Sequence, residues 1–294
     1  MENNFYRGVF CIVMSAVFWG LGGVAGQYLY TYQQTDPVWL CMVRQIIAGA
    51  LFLIYTAVVR RENIFDIFKE FTPQILVFSF LGILGAQLGF YYTISLCNAA
   101  TATVLQYMAP IFVMMWMAYK SRSMPENREL LGIVGALLGV FLISTHGNLD
   151  SLAISPEALI IGLLSAVSYA LYSVYPLDML KKYSATVVIG WGQFISGVSL
   201  IAFRNPFVSL TNWDIGAYMA MTYLVIGATT LTYALYLFGL KIVGPTKASL
   251  ISCAEPLTSI VAVVLFMGTV LTMEDVIGMG CIIFTVLLLS IPKK

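Results

Sequence analysis

The chain has 294 residues, of which 60% are apolar and only 10% are charged. An average soluble domain carries roughly 25% charged residues, so this composition excludes a soluble protein with a polar surface to cover. It also excludes a disordered chain, which would be poor in apolar residues and rich in charge. The net charge is only +1, which indicates no nucleic-acid partner. The composition predicts an integral membrane protein.

A bilayer core of about 30 Å requires roughly 20 apolar residues per helix. The sequence contains ten such segments, and the connections between them are too short to fold as soluble domains. The predicted fold is an all-α polytopic membrane protein with ten transmembrane helices. The predicted spans cover residues 8–30, 38–59, 74–95, 99–119, 129–147, 156–177, 185–203, 214–238, 245–267 and 274–291.

Lysine and arginine predict the orientation. With the N-terminus in the cytoplasm, thirteen basic residues lie on the inner side and only Arg204 lies outside, while Arg44 lies within span two. This asymmetry follows the positive-inside rule, so we expect both termini to be cytoplasmic in a multi-pass protein of the cytoplasmic membrane. The inner residues are Arg7, Arg60, Arg61, Lys69, Lys120, Arg122, Arg128, Lys181, Lys182, Lys241, Lys247, Lys293 and Lys294.

An internal repeat divides the chain into two halves, residues 8–147 and 156–291, with five predicted helices each. Because five is odd, the second half crosses the membrane in the opposite direction. Inverted repeats of this kind are typical of transporters, whose substrate site lies near the midplane between the repeats. The matching positions are Ser15-Ala16-Val17 with Ser165-Ala166-Val167, Trp19 with Tyr169, Ala102-Thr103 with Ala248-Ser249, Pro110 with Pro256 and Gly132 with Gly278.

Pro110 and Pro256 lie at corresponding positions in the middle of spans four and nine. A mid-helix proline removes one backbone hydrogen bond and clashes with the preceding turn. One such proline alone favours a harmless kink. A symmetric pair instead predicts two site-forming helix breaks, because discontinuous helices in corresponding positions indicate the binding site of a transporter.

Glu255 is the one acid that lies deep within a predicted span, about ten residues from its start, which corresponds to a depth of about 15 Å. A carboxylate at this depth is costly, so it should face the bundle interior and is a functional candidate. Three interpretations stay open. Glu255 is the counter-charge for a cationic or amine-bearing substrate, or a proton carrier, or a structural acid hydrogen-bonded to broken backbone.

The helical face around Glu255 is small and polar, whereas Ala109 occupies the place of Glu255 in span four. The two halves are therefore chemically different, since only one carries a carboxylate. The predicted seam of span nine is Ala248, Ser252, Glu255, Ser259 and Ala262, and that of span four is Ala102, Gln106, Ala109, Val113 and Trp116.

Further polar residues occur within the spans, among them Gln87, Gln106 and Gln193. Arg44 lies nearer the outer end of its span, where packing or snorkelling is its predicted role and pairing with an acid or a substrate carboxylate the alternative. Aromatic walls around one carboxylate would suit a cation. The predicted substrate-binding residues are Glu255, Gln106, Ser252, Trp19, Tyr92, Tyr107, Tyr169 and Tyr233.

No enzyme signature occurs: the chain has no Walker loop and no GxSxG or HExxH motif. The five cysteines form no CxxC pair, and His146 has no companion ligand in the sequence, so no metal and no cofactor are predicted. The glycine ladder Gly82, Gly85 and Gly89 lies in an apolar span and predicts close helix packing.

These residues together resemble the EamA branch of the drug/metabolite transporter superfamily. The resemblance covers nearly the whole chain, although the LGE sequence often found after spans four and nine in that family is absent here. It implies ten helices in two inverted repeats, and export or exchange of small metabolites. The matching pieces are Phe18-Trp19-Gly20, Arg44, Asn98-Ala99-Ala100-Thr101-Ala102 before Pro110, Gly132, Lys247-Ala248-Ser249 before Glu255-Pro256, and Gly278.

The sequence thus predicts a secondary active transporter of a small organic metabolite, with an amino acid or amine as the favoured substrate. Its expected partners are the small-molecule substrate, the lipid bilayer and, as candidate coupling ion, the proton. A non-transporting scaffold or sensor and a lipid flippase of the same fold are the alternatives. Substrate identity, transport direction and oligomeric state stay open.

Overall fold

The computed structural model describes residues 2–96, 99–148, 150, 155–205, 213–267 and 272–291. This part of the chain is helical and contains no strand. The α-helices are α1 Glu2–Gln33, α2 Pro37–Ile54, α3 Ile67–Val77, α4 Gly85–Leu96, α5 Ala99–Gln106, α6 Ala109–Ser121, α7 Asn127–Thr145, α8 Pro156–Val174, α9 Leu177–Lys182, α10 Ala185–Ser199, α11 Ile215–Val225, α12 Thr232–Val243, α13 Pro245–Ser252, α14 Glu255–Met267 and α15 Met273–Ser290.

Seven stretches among the described residues are long and apolar enough to cross a membrane, so the protein is a polytopic helical membrane protein. Predicted spans five, nine and ten coincide with α7, with α13 and α14, and with α15, and the total of ten stays a prediction. The seven stretches are Asn4–Gly26, Val38–Val59, Ile67–Thr93, Ala102–Ser121, Pro156–Lys182, Ala185–Ala202 and Ile215–Val243.

Three of these stretches are longer than the sequence predicts. The stretch in predicted span three begins at Ile67, that in span six continues through α9 to Lys182, and that in span eight extends to Val243. Basic residues occupy the last turns of α9 and α12. Such side chains interact favourably with the C-terminal end of a helix, and their long stems cover apolar surface, so charged residues extend these helices instead of ending them.

Two π-helical segments lie in the middle of spans, Phe78–Leu84 between α3 and α4 and Ile226–Leu231 between α11 and α12, and a third, Tyr55–Val59, follows α2. In the Ile226–Leu231 segment, threonine hydroxyls donate to carbonyls five residues earlier. Thr229 donates to the Leu224 carbonyl at 2.6 Å and Thr232 to the Gly227 carbonyl at 2.7 Å. The wide turns therefore have side-chain support, and they change the rotation of the helix that follows.

The helices of the two halves interleave. The most extensive contacts join α2 to α10, α7 to α15, α1 to α12 and α4 to α8, so each pairs a helix of the first half with one of the second. Helix α1 also packs on α14, and α8 also packs on α6. The core is therefore continuous across both halves.

Close packing of the glycine ladder is confirmed. A Cβ added to Gly85 would lie 2.5 Å from the Ser168 Oγ, and one added to Gly89 would lie 2.9 Å from the Ser165 Cβ. Both neighbours belong to α8. The ladder therefore allows the backbones of α4 and α8 to approach closely, as small residues do in membrane helices.

Spans four and nine are each divided into two helices. A turn at residues 107–108 separates α5 from α6, and a turn at residues 253–254 separates α13 from α14. Pro110 and Pro256 are the second residues of the helices that follow. Each break thus lies immediately before a proline, where the proline ring crowds the preceding turn.

Candidate functional site

Glu255 lies at the start of α14, directly after the break in span nine. The residue as a whole is only partly buried. Pro256 has no N–H, so the Ser252 carbonyl loses the partner it would have in a regular helix. A carboxylate and an acceptor carbonyl are therefore placed next to each other by one break.

Tyr107 lies in the turn that divides span four, and its hydroxyl reaches the break in span nine. This hydroxyl is 2.6 Å from the Glu255 Oε2 and 3.4 Å from the Ser252 carbonyl oxygen. Tyr107 itself is buried. The two helix breaks therefore meet at one tyrosine hydroxyl.

A second tyrosine approaches α13 from α8. The Ser252 hydroxyl donates to the Ser249 carbonyl at 2.7 Å, and it lies 3.2 Å from the Tyr169 hydroxyl. Because a serine hydroxyl has one hydrogen, Ser252 accepts the hydrogen bond that Tyr169 donates. Ser252 is fully buried, so this bond ties α8 to the inner part of span nine.

Five aromatic rings form an aromatic cluster beside these groups. Trp19 lies edge-on to Tyr233, with ring centroids 5.4 Å apart, and 5.5 Å from Tyr236. Tyr172 contacts both of these tyrosines and also Tyr169, at 5.2 to 5.7 Å. Offset and edge-to-face pairs of this kind contribute about 0.5–1.5 kcal/mol each beyond their buried area. The aromatic cluster comprises Trp19, Tyr169, Tyr172, Tyr233 and Tyr236.

Arg44 packs against α4 inside the bundle, which corresponds to the packing and not to the snorkelling in its predicted role. Its Nη2 donates to the Gln87 Oε1, and the Gln87 Nε2 donates to the Tyr233 hydroxyl at 2.5 Å. Since arginine has no acceptor, it fixes the orientation of the Gln87 amide, and that amide makes Tyr233 an acceptor. The aromatic cluster is thus connected to a guanidinium at Tyr233 and, through Tyr169 and Ser252, to the break that carries Glu255.

Two further polar groups lie at the aromatic cluster. Neither amide atom of buried Gln193 has a hydrogen-bond partner among the described residues, and the same holds for the Tyr172 hydroxyl. Gln193 lies beside the Tyr233 hydroxyl. Buried polar groups without partners are rare in folded proteins, and such positions are typically occupied by a water molecule or a ligand.

Gln106 has partners outside this network. The Gln106 amide donates to the Ala86 carbonyl at 3.0 Å and to the Ser165 hydroxyl at 2.9 Å, so it links α5 to α4 and α8. Tyr92 is 58% exposed. The predicted residues that the structure brings together are Glu255, Ser252, Trp19, Tyr107, Tyr169 and Tyr233.

Gly20 is a part of the site that the predicted residue set lacks. A Cβ added there would lie 2.7 Å from the Glu255 carbonyl oxygen and 2.7 Å from the Thr258 Cβ. The backbone of α1 therefore rests directly on the first turn of α14. The glycine-rich run around Gly20 is visible in the sequence, but its partner helix is not.

No group of three or more metal-ligating residues occurs among the residues that the structure describes. A cavity of about 310 Å³ lies between α6, the start of α7 and Thr246 of α13. It is bordered by Met114, Met117 and Glu129 and contains none of the predicted site residues. The hydrogen-bonded network around Glu255 is therefore distinct from this cavity.

The chain belongs to the EamA-like transporter family, whose model matches residues 6–145 and again residues 157–291. It is 36% identical to YicL of Salmonella typhimurium, named as an uncharacterized inner membrane transporter, over 98% of this chain and 96% of that protein. It is 24% identical to an uncharacterized transporter of Archaeoglobus fulgidus, over 92% of this chain and 94% of that one. The protein is therefore a multi-pass membrane protein of a transporter family.

A solved crystal structure shares the fold. It superposes with a TM-score of 0.81 over 96% of this chain and 95% of that chain, at 16% sequence identity. At this identity the likeness concerns the fold alone.

Proposed function

We propose that this protein is a secondary active transporter of a small organic metabolite, an amino acid or an amine, and that it works by alternating access in the cytoplasmic membrane. The observation that carries the proposal is Glu255, a carboxylate at a helix break in mid-span whose partner is the hydroxyl of Tyr107 in the other break. Ionisable residues at such depth mark substrate or ion pathways, because a purely structural role does not require the cost of burying a charge.

Two inverted five-helix repeats form the proposed architecture. Three features support them: the symmetric pairing of α2 with α10 and of α7 with α15, the two mid-span π-helical segments Phe78–Leu84 and Ile226–Leu231, and the two breaks 146 residues apart. The family model also matches each half separately. Discontinuous helices facing each other at the repeat interface are where such transporters bind their substrates.

The proposed orientation has both termini in the cytoplasm, as the distribution of basic residues favours. In this orientation, Glu255 lies near the midplane. The ion pair of Arg204 with Asp36, at 3.1 Å, lies at the outer ends of the helices, and that of Lys120 with Asp178, at 3.6 Å, lies at the inner ends.

The chemistry of the site favours an amine group. The ammonium of the substrate would pair with the Glu255 carboxylate, while the faces of Trp19 and Tyr169 would interact with the cation through their ring quadrupoles. The guanidinium of Arg44 lies beyond Tyr233 and would suit the carboxylate of an amino acid. A proton that replaces the amine on Glu255 is the proposed coupling ion.

The direct test is thermal stabilisation of the purified protein by amines, amino acids, carboxylates and nucleosides. A ligand at 100 times its Kd adds about 2.7 kcal/mol of stability, which raises the melting temperature measurably. We expect amines or amino acids to stabilise the wild type and the matched control Glu157→Gln, but not Glu255→Gln. Equal stabilisation of Glu255→Gln would refute the proposed role of the carboxylate, and no response to any class would favour the non-transporting alternative.

Transport by the same variants in liposomes gives the second measurement. The substrate found by the screen should exchange across the membrane in the wild type, with a rate that depends on pH. The proposal fails if Glu255→Gln leaves both the rate and its pH dependence unchanged, because neither an amine-binding nor a proton-carrying role could then be assigned to this residue.

A further inference from the structure

Tyr107 contacts two acceptors that belong to different parts of span nine. Its hydroxyl lies 2.6 Å from the Glu255 Oε2 and 3.4 Å from the Ser252 carbonyl oxygen. The first acceptor gains or loses a proton, and the second is fixed in the backbone. Because a tyrosine hydroxyl has a single hydrogen, it can donate fully to only one of them at a time.

We propose that Tyr107 is a positioning residue that converts the protonation state of Glu255 into a movement of span four against span nine. This inference rests on the proposed function, since it assumes that Glu255 alternates between a charged and a neutral state during transport. It adds to the proposed function a role for Tyr107, a second acceptor in the Ser252 carbonyl, and a movement of the two broken helices.

In the ionised state, Tyr107 donates its hydrogen to the Glu255 Oε2, and the charge makes this bond short and strong. In the protonated state, the added proton lies on Oε2, and the carboxyl group donates it to the Tyr107 oxygen. The hydrogen of Tyr107 then turns to the Ser252 carbonyl. Tyr107 keeps its own proton in both states, and the protonated state has one hydrogen bond more, the one to the Ser252 carbonyl.

The second arrangement requires movement. At 3.4 Å, the distance from Tyr107 to the Ser252 carbonyl exceeds that of a normal hydroxyl hydrogen bond, which is about 2.7–2.8 Å. Closing this distance moves the Tyr107–Met108 turn towards the Cys253–Ala254 turn. Breaks of this kind are the positions at which a helix bends most readily, because a backbone hydrogen bond is already missing.

A substrate ammonium would act differently from a proton. It neutralises the carboxylate while contributing no hydrogen bond to the tyrosine oxygen at Oε2, so Tyr107 can stay bonded to Glu255. The proton-loaded and amine-loaded states therefore differ in the position of Tyr107, which is the distinction that an exchanger of amine for proton requires.

Within the part of the chain that the structure describes, the other groups around Glu255 offer no second hydroxyl that could exchange the carboxyl group for a backbone carbonyl. The titratable groups near it are the Tyr107 and Tyr169 hydroxyls and the Cys253 thiol. Tyr169 bonds to Ser252 Oγ. The α1 surface against α14 presents Gly20 and Gly23, which carry no titratable group. Among the described side chains, the charged residues of α1 and α7 lie near the beginnings of these helices: Arg7, Arg128 and Glu129.

Hydrogen exchange of the full-length protein in lipid nanodiscs tests the proposal, with residues 105–111 and 252–258 followed by mass spectrometry over a pH series. After correction for intrinsic exchange, we expect protection at both breaks to change roughly fivefold in the wild type, the factor that one hydrogen bond of typical net strength supplies. Tyr107→Phe should abolish this change. Tyr169→Phe, which also removes one hydroxyl near Ser252, should retain it.

Glu255→Gln should show one level of protection at every pH. The proposal is overturned if Tyr107→Phe responds to pH as the wild type does, or if the wild type does not respond. A lower melting temperature of Tyr107→Phe alone supports neither result, because a structural hydroxyl would produce the same effect. Failure of the proposed function is distinguishable, since amines would then stabilise Glu255→Gln regardless of what Tyr107→Phe does.

Discussion

The two broken helices are similar in backbone and different in chemistry. Both turns precede a proline, at Pro110 in span four and at Pro256 in span nine. Span four places Ala109 where span nine places Glu255, and it contributes Tyr107 from its turn, where span nine has Cys253. One break therefore supplies the ionisable group and the other supplies its hydrogen-bond donor. Two breaks with similar backbones can therefore form an asymmetric site. The proline determines the backbone geometry of each break, whereas the neighbouring side chains determine its chemistry.

The largest expected effect comes from placing a carboxylate in the other break. Ala109 is fully buried, and a glutamate there would lack the tyrosine that Glu255 has. Ala109→Glu should destabilise the protein by about 3 kcal/mol or more, because an uncompensated buried charge is among the most costly changes in a protein. Thermal unfolding in detergent measures this effect, with Ala109→Ser as the control of small volume. Wild-type stability of Ala109→Glu would show that the first break accommodates a carboxylate as well as the second.

The next effect concerns the contact of α1 with α14 at the second break. Gly20→Ala would force its Cβ to within 2.7 Å of the Glu255 carbonyl oxygen, and overpacking of this kind costs about 1–3 kcal/mol. Gly23→Ala is the matched control, since its Cβ would lie 3.8 Å from the Ser259 Oγ, an ordinary contact. Both melting temperature and stabilisation by amines should fall in Gly20→Ala only. Similar behaviour of the two variants would contradict the close approach at Gly20.

Gln106 and Ser252 occupy corresponding positions in the two halves and serve different purposes. Gln106 links three helices through its amide, so Gln106→Leu should cost about 1–2 kcal/mol of stability, as expected for lost hydrogen bonds that leave partners unsatisfied. Stabilisation by amines should persist, because Gln106 does not contact Glu255. If Gln106→Leu loses the amine response at wild-type stability, the sequence-based assignment of Gln106 to the substrate site is the better one.

Substitution of the two prolines should change stability least. The two breaks should instead differ in how amide exchange responds to pH. Pro256→Ala restores an N–H that competes with Tyr107 for the Ser252 carbonyl, whereas Pro110→Ala restores one at the Gln106 carbonyl. We expect stability changes within about 1 kcal/mol for both, the size of one net backbone hydrogen bond. Only Pro256→Ala should weaken the pH response of amide exchange at the breaks. An equal loss in Pro110→Ala would mean that the kinks themselves, and not the Ser252 carbonyl, carry the response.

The sequence alone was enough to predict the membrane class, the positions of the apolar segments, and Glu255 as the one acid deep within a predicted span. Each of these predictions requires only the residue types and the distances between them along the chain. Close packing of the Gly82, Gly85 and Gly89 ladder also followed from composition, since small residues on one helix face have few other uses in a membrane. The helix ends were less predictable, because charged residues such as Lys181 extend a helix without being apolar.

The tertiary structure alone decided which polar groups meet. It turned Arg44 inward to Gln87, selected Tyr107 as the partner of Glu255, used Gln106 as a link between helices and left Tyr92 exposed. These outcomes depend on how helices rotate about their axes. The π-helical turns and the proline breaks change that rotation in the middle of a span. A prediction from helical periodicity assumes a regular helix. It therefore cannot give the direction of side chains beyond a break, which is where this site lies.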